Sequence, residues 1–137
     1  MPELDDKIYY KEIKYKYVTT REVTYQTCIF PEQDIETEHV ILRVNGQLTL
    51  KLSYAWNGAN VVKDTRTNMR ASAIHDALVQ LIKLGLLDKK WKIEVDFEYY
   101  RAARQDKMLL LRAIIHMAGI QAAHWEDPSP GVELIAP

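Results

Sequence analysis

The chain has 137 residues, 47% hydrophobic and 27% charged, with a formal net charge of -1. That length suits one domain, residues 1–137, around one core, and the composition is globular rather than disordered. A near-neutral balance argues against a life spent on nucleic acid, and one cysteine, Cys28, excludes an intramolecular disulfide framework.

The first six residues, Met1 to Asp6, are acidic and lack an apolar run, so no secretory signal is expected. No segment reaches the roughly 20 apolar residues of a membrane span. Residues 7–56 read as β-rich. Ile13, Tyr15 and Tyr17 alternate with Lys14 and Lys16, which is the period of a half-buried strand. The same mixture fits a stacking platform for single-stranded nucleic acid, or an edge strand with outward lysines. Val23 to Phe30 is a second strand, with Cys28 expected inside it and buried. Pro31 to Asp34 is a turn.

Asn45-Gly46 separates Val40–Val44 from Gln47–Leu52. Two residues that tolerate positive φ predict a type I′ hairpin. Beyond it Leu48, Leu50, Leu52, Tyr54 and Trp56 share one face, the side expected against the core. Residues 57–67 form a loop, and Thr67 or Asn68 is placed to cap a helix over 69–87. Met69, Ala73, Ile74, Ala77, Leu78, Leu81, Ile82 and Leu84 give that helix an apolar face, and Asp88-Lys89-Lys90 is expected to end it. Residues 91–97 are read as an extended connector, with Asp96 as an alternative cap. A second helix is expected over 97–118, with Ala103, Leu110, Ala113, Ile114 and Met117 inward, Asp106 in the same stripe, and Gly119 just past its end. An extended tail covers 125–137, whose apolar end, including Leu134 and Ile135, is a candidate docking segment. The fold class expected is α+β: antiparallel strands with an Asn-Gly hairpin, then two long antiparallel helices.

One constellation carries chemical interest. His75 and Asp76 point about 100° apart on a helix. Asp106 sits among Ala102, Ala103, Leu109 and Leu110, and a carboxylate there needs a partner. In an antiparallel pair His75 could be that partner, and a His-Asp pair orients an imidazole as a general base. Asp76 would then be left for a cation such as Ca2+, helped by the loop of Asn57, Gly58 and Asn60. The same three residues could instead form a structural hydrogen bond that fixes helix register. His39, His116 and His124 read as surface or cap residues. No zinc spacing, phosphate-binding glycine loop or nucleophile elbow is present.

Tyr54 to Asn60, then Asp64 to Leu78 with its Arg70-Ala71-Ser72-Ala73-Ile74-His75-Asp76-Ala77-Leu78 helix, and Tyr100-Arg101 followed by Asp106, resemble a family of small phage and prophage proteins of unknown function. That resemblance covers about residues 50–118. It implies a phage-encoded accessory or virion-associated protein in the host cytoplasm or the particle. Such a protein would have no established catalysis, and would contact other phage proteins or itself. The tyrosines Tyr15 and Tyr17 and the tail residues Leu134 and Ile135 are then the candidate contacts. A more distant similarity is to the helix pair of phospholipase A(2). It implies a calcium-dependent lipid or ester hydrolase with His75 as water-activating base, Asp106 orienting it, and Asp76 and Gly58 near calcium. Val79 stands where that family has tyrosine.

Overall fold

The computed structural model describes residues 17–57 and 66–122. Among them are six short strands: β1 (Tyr17–Val18), β2 (Val23–Gln26), β3 (Ile35–Glu36), β4 (Val40–Leu42), β5 (Gln47–Leu50) and β6 (Ala55–Trp56). Three helices follow, α1 (Met69–Lys83), α2 (Lys92–Gln105) and α3 (Leu110–Ala122). The class is therefore α+β, as expected, but with three helices where two long ones were anticipated.

The strands form two antiparallel sheets, β1-β6 and β2-β5-β4-β3. Period-two patterning sets the register of the larger sheet. Val23 pairs with Leu50 and Tyr25 with Leu48, all inward. On the outer face Thr24 lies opposite Thr49, with their hydroxyls 3.3 Å apart. Val40 and Leu42 continue the inner row beside Leu50 and Leu48. One hydrophobic cluster then joins both sheets to all three helices, from Tyr17 and Trp56 through Leu48 and Leu50 to Ile74, Leu81, Tyr99, Ala113 and Ile120.

The hairpin forms where Asn45-Gly46 places it, but with a different turn. The Gly46 amide donates to the Arg43 carbonyl, and the Arg43 amide donates to Gln47. Gly46 has φ +88 while Asn45 is not left-handed. This is a three-residue loop with a glycine bulge rather than a two-residue type I′ turn. Asp34 steadies it by accepting from the Val44 amide at 2.9 Å. Beyond β5 the inward row breaks. Ser53 takes φ 70 and turns the chain into the second sheet. Leu52 is thereby 58% exposed, while Tyr54 and Trp56 stay buried.

Helix boundaries also moved, for local reasons. Helix α1 stops at Lys83, before the charged run at Asp88. Gly85 takes φ +79, its amide donates to Ile82, and the Leu86 amide donates to Leu81. That pair of bonds is the Schellman ending, and it turns Leu84 outward. Residues 89–91 form a 3-10 turn capped by Asp88, whose carboxylate accepts from the Lys90 amide at 2.8 Å. Helix α2 follows at once, so Ile93, Val95 and Phe97 lie on a helix, and Asp96 is inside it rather than at its cap.

The expected 97–118 helix is divided by a second Schellman ending. Lys107 (φ 75) donates to Arg104, and Met108 donates to Ala103. A lysine occupies the left-handed position that glycine usually fills. The buried Met108 (1% exposed) supplies the hydrophobic contact that accompanies this motif. After the break the helical phase restarts. Ala103 and Ala113 are buried as expected, Met117 is half-buried, and Leu110 and Ile114 face outward instead of inward. Helix α3 also runs through Gly119 to Ala122. Cys28 lies beyond the end of β2 and is exposed rather than buried.

Candidate functional site

Two features stand out, a polar layer between the sheet and the helices and an apolar outer face on α3. The first is built on α2, whose buried side carries Val95, Asp96, Glu98, Tyr99, Ala102 and Ala103. Val95, Tyr99, Ala102 and Ala103 share a helical face, and Asp96 and Glu98, two positions apart, enter at its opposite edges, Asp96 toward α1 and Glu98 toward the sheet.

The Glu98 side chain is 1% exposed. It accepts from the Tyr25 hydroxyl at 3.0 Å, the Arg101 guanidinium at 2.6 Å and the Cys28 amide at 2.7 Å. A buried carboxylate with a cation and two further donors is a satisfied charge. It also ties α2 to β2 and to the segment after it. Burial, and then the Glu98 carboxylate, push the Tyr25 phenol well above its ordinary range, so it keeps its proton. The Arg70 and Arg101 guanidinium carbons lie 5.3 and 5.9 Å from the centre of the Tyr25 ring, within cation–π reach.

His75 and Asp106 are not partners. His75 Nε2 lies 2.8 Å from Asp96 Oδ1, one helical turn inside α2. Asp106 ends α2 and accepts from Arg70 through both oxygens, at 3.0 and 3.1 Å. That is a bidentate fork. Because α1 and α2 run antiparallel, the earlier residue of α1 meets the later residue of α2. A carboxylate can only accept, so His75 Nε2 carries the proton in this pair. The side chains are 13% and 2% exposed. Asp76 is half-buried on α1, and Asn57 is exposed at the end of β6. Gly58 and Asn60, the rest of the anticipated calcium set, lie outside the described residues, as do Tyr15, His124, Leu134 and Ile135. Among the described residues no group of three His, Cys, Asp or Glu side chains is arranged around a metal position.

Tyr17 is buried, 5.4 Å from the Trp56 ring, and is therefore not an open contact. His116 is also buried, not a surface cap: its Nδ1 and the Tyr99 hydroxyl are hydrogen-bonded at 3.0 Å. Burial, and then Arg112, lower the His116 pKa, which favours the neutral imidazole. The Tyr99 ring meets His75 edge-on at 6.1 Å. Asp96, His75, Tyr99 and His116 thus form one layer across the three helices. His39, expected at the surface, is 8% exposed.

The second feature is on the other side of α3. Ala113, His116 and Ile120 face the core. Leu110, Leu111, Ile114 and Ile115 are between 49% and 70% exposed, and Leu109 just before them is 75% exposed. At about 100° per residue they fall roughly opposite the buried stripe, so this helix is apolar on both sides. No family model, curated protein or solved structure matches the chain.

Proposed function

We propose that this is a phage-type accessory or virion-associated protein with no established catalysis, which acts through protein contacts made by α3. The observation that carries this is the outer face of that helix. Taking one leucine or isoleucine fully out of water is worth roughly 1.5–3 kcal/mol. Five such residues, 49–75% exposed on one short stretch, forgo several such contributions unless something covers them, and contiguous apolar area of this kind marks interaction surfaces. The polar layer supports the same reading. Its carboxylates are engaged by arginine, tyrosine, histidine and backbone donors, as a device that fixes helix register would be. The resemblance of the His75 helix to phage proteins supplies the setting, host cytoplasm or particle. A photoreactive residue at Leu109 tests the reading. It is expected to give a protein adduct in the cell or particle that the same residue at Lys89 does not. Equal labelling from both positions, or none, would count against it.

A second reading has one observation in its favour, the His75–Asp96 pair at 2.8 Å. It keeps a histidine oriented by an aspartate from the neighbouring helix, although the aspartate differs from the expected one. Under that reading the chain is a calcium-dependent ester or lipid hydrolase with His75 as base. It predicts that calcium raises the melting temperature and that His75→Asn folds but loses turnover. Absence of both effects removes it.

A further inference from the structure

We propose that α3 is the contact between two copies of this chain, crossing antiparallel about a two-fold axis. The inference rests on the reading of α3 as a protein contact and names the partner. Leu111, Ile115, Ala118 and Ala122, all exposed, follow one another at spacings of four, three and four. That is the alternation by which one helix seams against another. The seam is also tapered, with two large side chains at its start and two alanines at its end. Under an antiparallel two-fold, Leu111 of one copy meets Ala122 of the other, and Ile115 meets Ala118. Large then faces small along the whole contact, so the surface is complementary to itself, as an isologous interface requires. No charged residue lies on the seam. Arg112, on its flank, falls at opposite ends of the contact in the two copies, which keeps like charges apart.

Of the exposed aliphatic side chains, Leu111 and Ile115 lie on the seam, 70% and 60% exposed, with Ile114, 49% exposed, beside them. That is a smaller contact than the roughly 800 Å² per partner of a standard interface, so association is expected in the micromolar range. A nucleic acid or an acidic peptide would find no cation on the seam.

The test uses the full chain. Light scattering after size exclusion, across micromolar concentrations, is expected to give a dimer. Ile115→Glu and Leu111→Lys are expected to raise its dissociation constant by roughly tenfold or more while leaving circular dichroism unchanged. In a Cys28→Ser background, Leu111→Cys protein mixed with Ala122→Cys protein should oxidise to the mixed disulfide and not to either homodimer. A monomer at every concentration overturns the inference. So does a dimer that survives both charge substitutions, or self-crosslinking of the Leu111→Cys protein, which would mean a parallel pair. A monomer whose Leu109 position still labels another protein would leave the protein-contact reading standing and remove only the second copy. A monomer with no labelling would remove both.

Discussion

Glu98 shows how one side chain can hold two halves of a chain together. Its three donors come from Tyr25, Cys28 and Arg101, and truncating it would leave the Tyr25 hydroxyl and the Cys28 amide without that acceptor and the part-exposed Arg101 guanidinium without its carboxylate. Glu98→Ala should cost roughly 2–4 kcal/mol of unfolding free energy. Tyr25→Phe, which removes the bond to Glu98 and a long one from Arg101 at 3.5 Å, should cost about 1–2 kcal/mol; urea denaturation distinguishes them. His116 carries a pH dependence of definite sign. Its pKa is lowered in the folded state, so the unfolded chain takes up a proton first as the pH falls. The stability it contributes is complete above the ordinary imidazole value of about 6.5 and is lost as the pH drops through that value toward the folded one. Melting temperatures between pH 8 and pH 5 should fall more in the parent than in His116→Gln.

At the level of elements, the two described glycines with positive φ, Gly46 and Gly85, should respond differently to alanine. Gly85 has open space where a Cβ would go, so Gly85→Ala meets only backbone strain, about 1–2 kcal/mol. A Cβ at Gly46 would come within 2.8 Å of the Thr27 carbonyl. Gly46→Ala should therefore be the more damaging in thermal denaturation. Much of this level was legible in the sequence. Asn45-Gly46 between two apolar runs marked the hairpin, and the 3.6-residue period marked the buried face of α1. The division of the second helix was not, because Lys107 is not a residue that ordinarily marks a left-handed turn. The leucine run at 109–111 was the available sign, since three consecutive apolar residues cannot all face one core. The candidate site was half legible for a similar reason. His75 is recognisable as a partner for a carboxylate of the next helix, with Asp106 the one expected, but which turn of α2 faces it depends on the offset between two helices, and no local pattern encodes that. Glu98 sits between two aromatic residues in a stretch read as extended connector and helix start, and only the helical spacing of Val95, Glu98 and Ala102 places it on the buried side.

For the whole molecule, association and stability should be linked. If two copies share α3, the melting temperature rises with protein concentration, because dimerisation draws the folded state by mass action. Ile115→Glu should abolish that dependence and leave the dilute-limit melting temperature nearly unchanged, since its side chain is 60% exposed in the single chain. Differential scanning calorimetry at several concentrations reads both effects. None of the described helices is long and apolar enough to cross a membrane.

The clamp at Glu98 also sets an order of events in time. The β4–β5 hairpin closes across only three residues, whereas Glu98 joins groups 70 and 73 positions away. Short loops close with little entropic penalty, and distant contacts wait for the chain between them to be organised. The hairpin therefore belongs to the early part of folding and the clamp to its end. A substitution at Glu98 should leave the refolding rate almost untouched and quicken unfolding. The clamp would then act chiefly as a brake on opening, setting how long the sheet and helices stay together once joined.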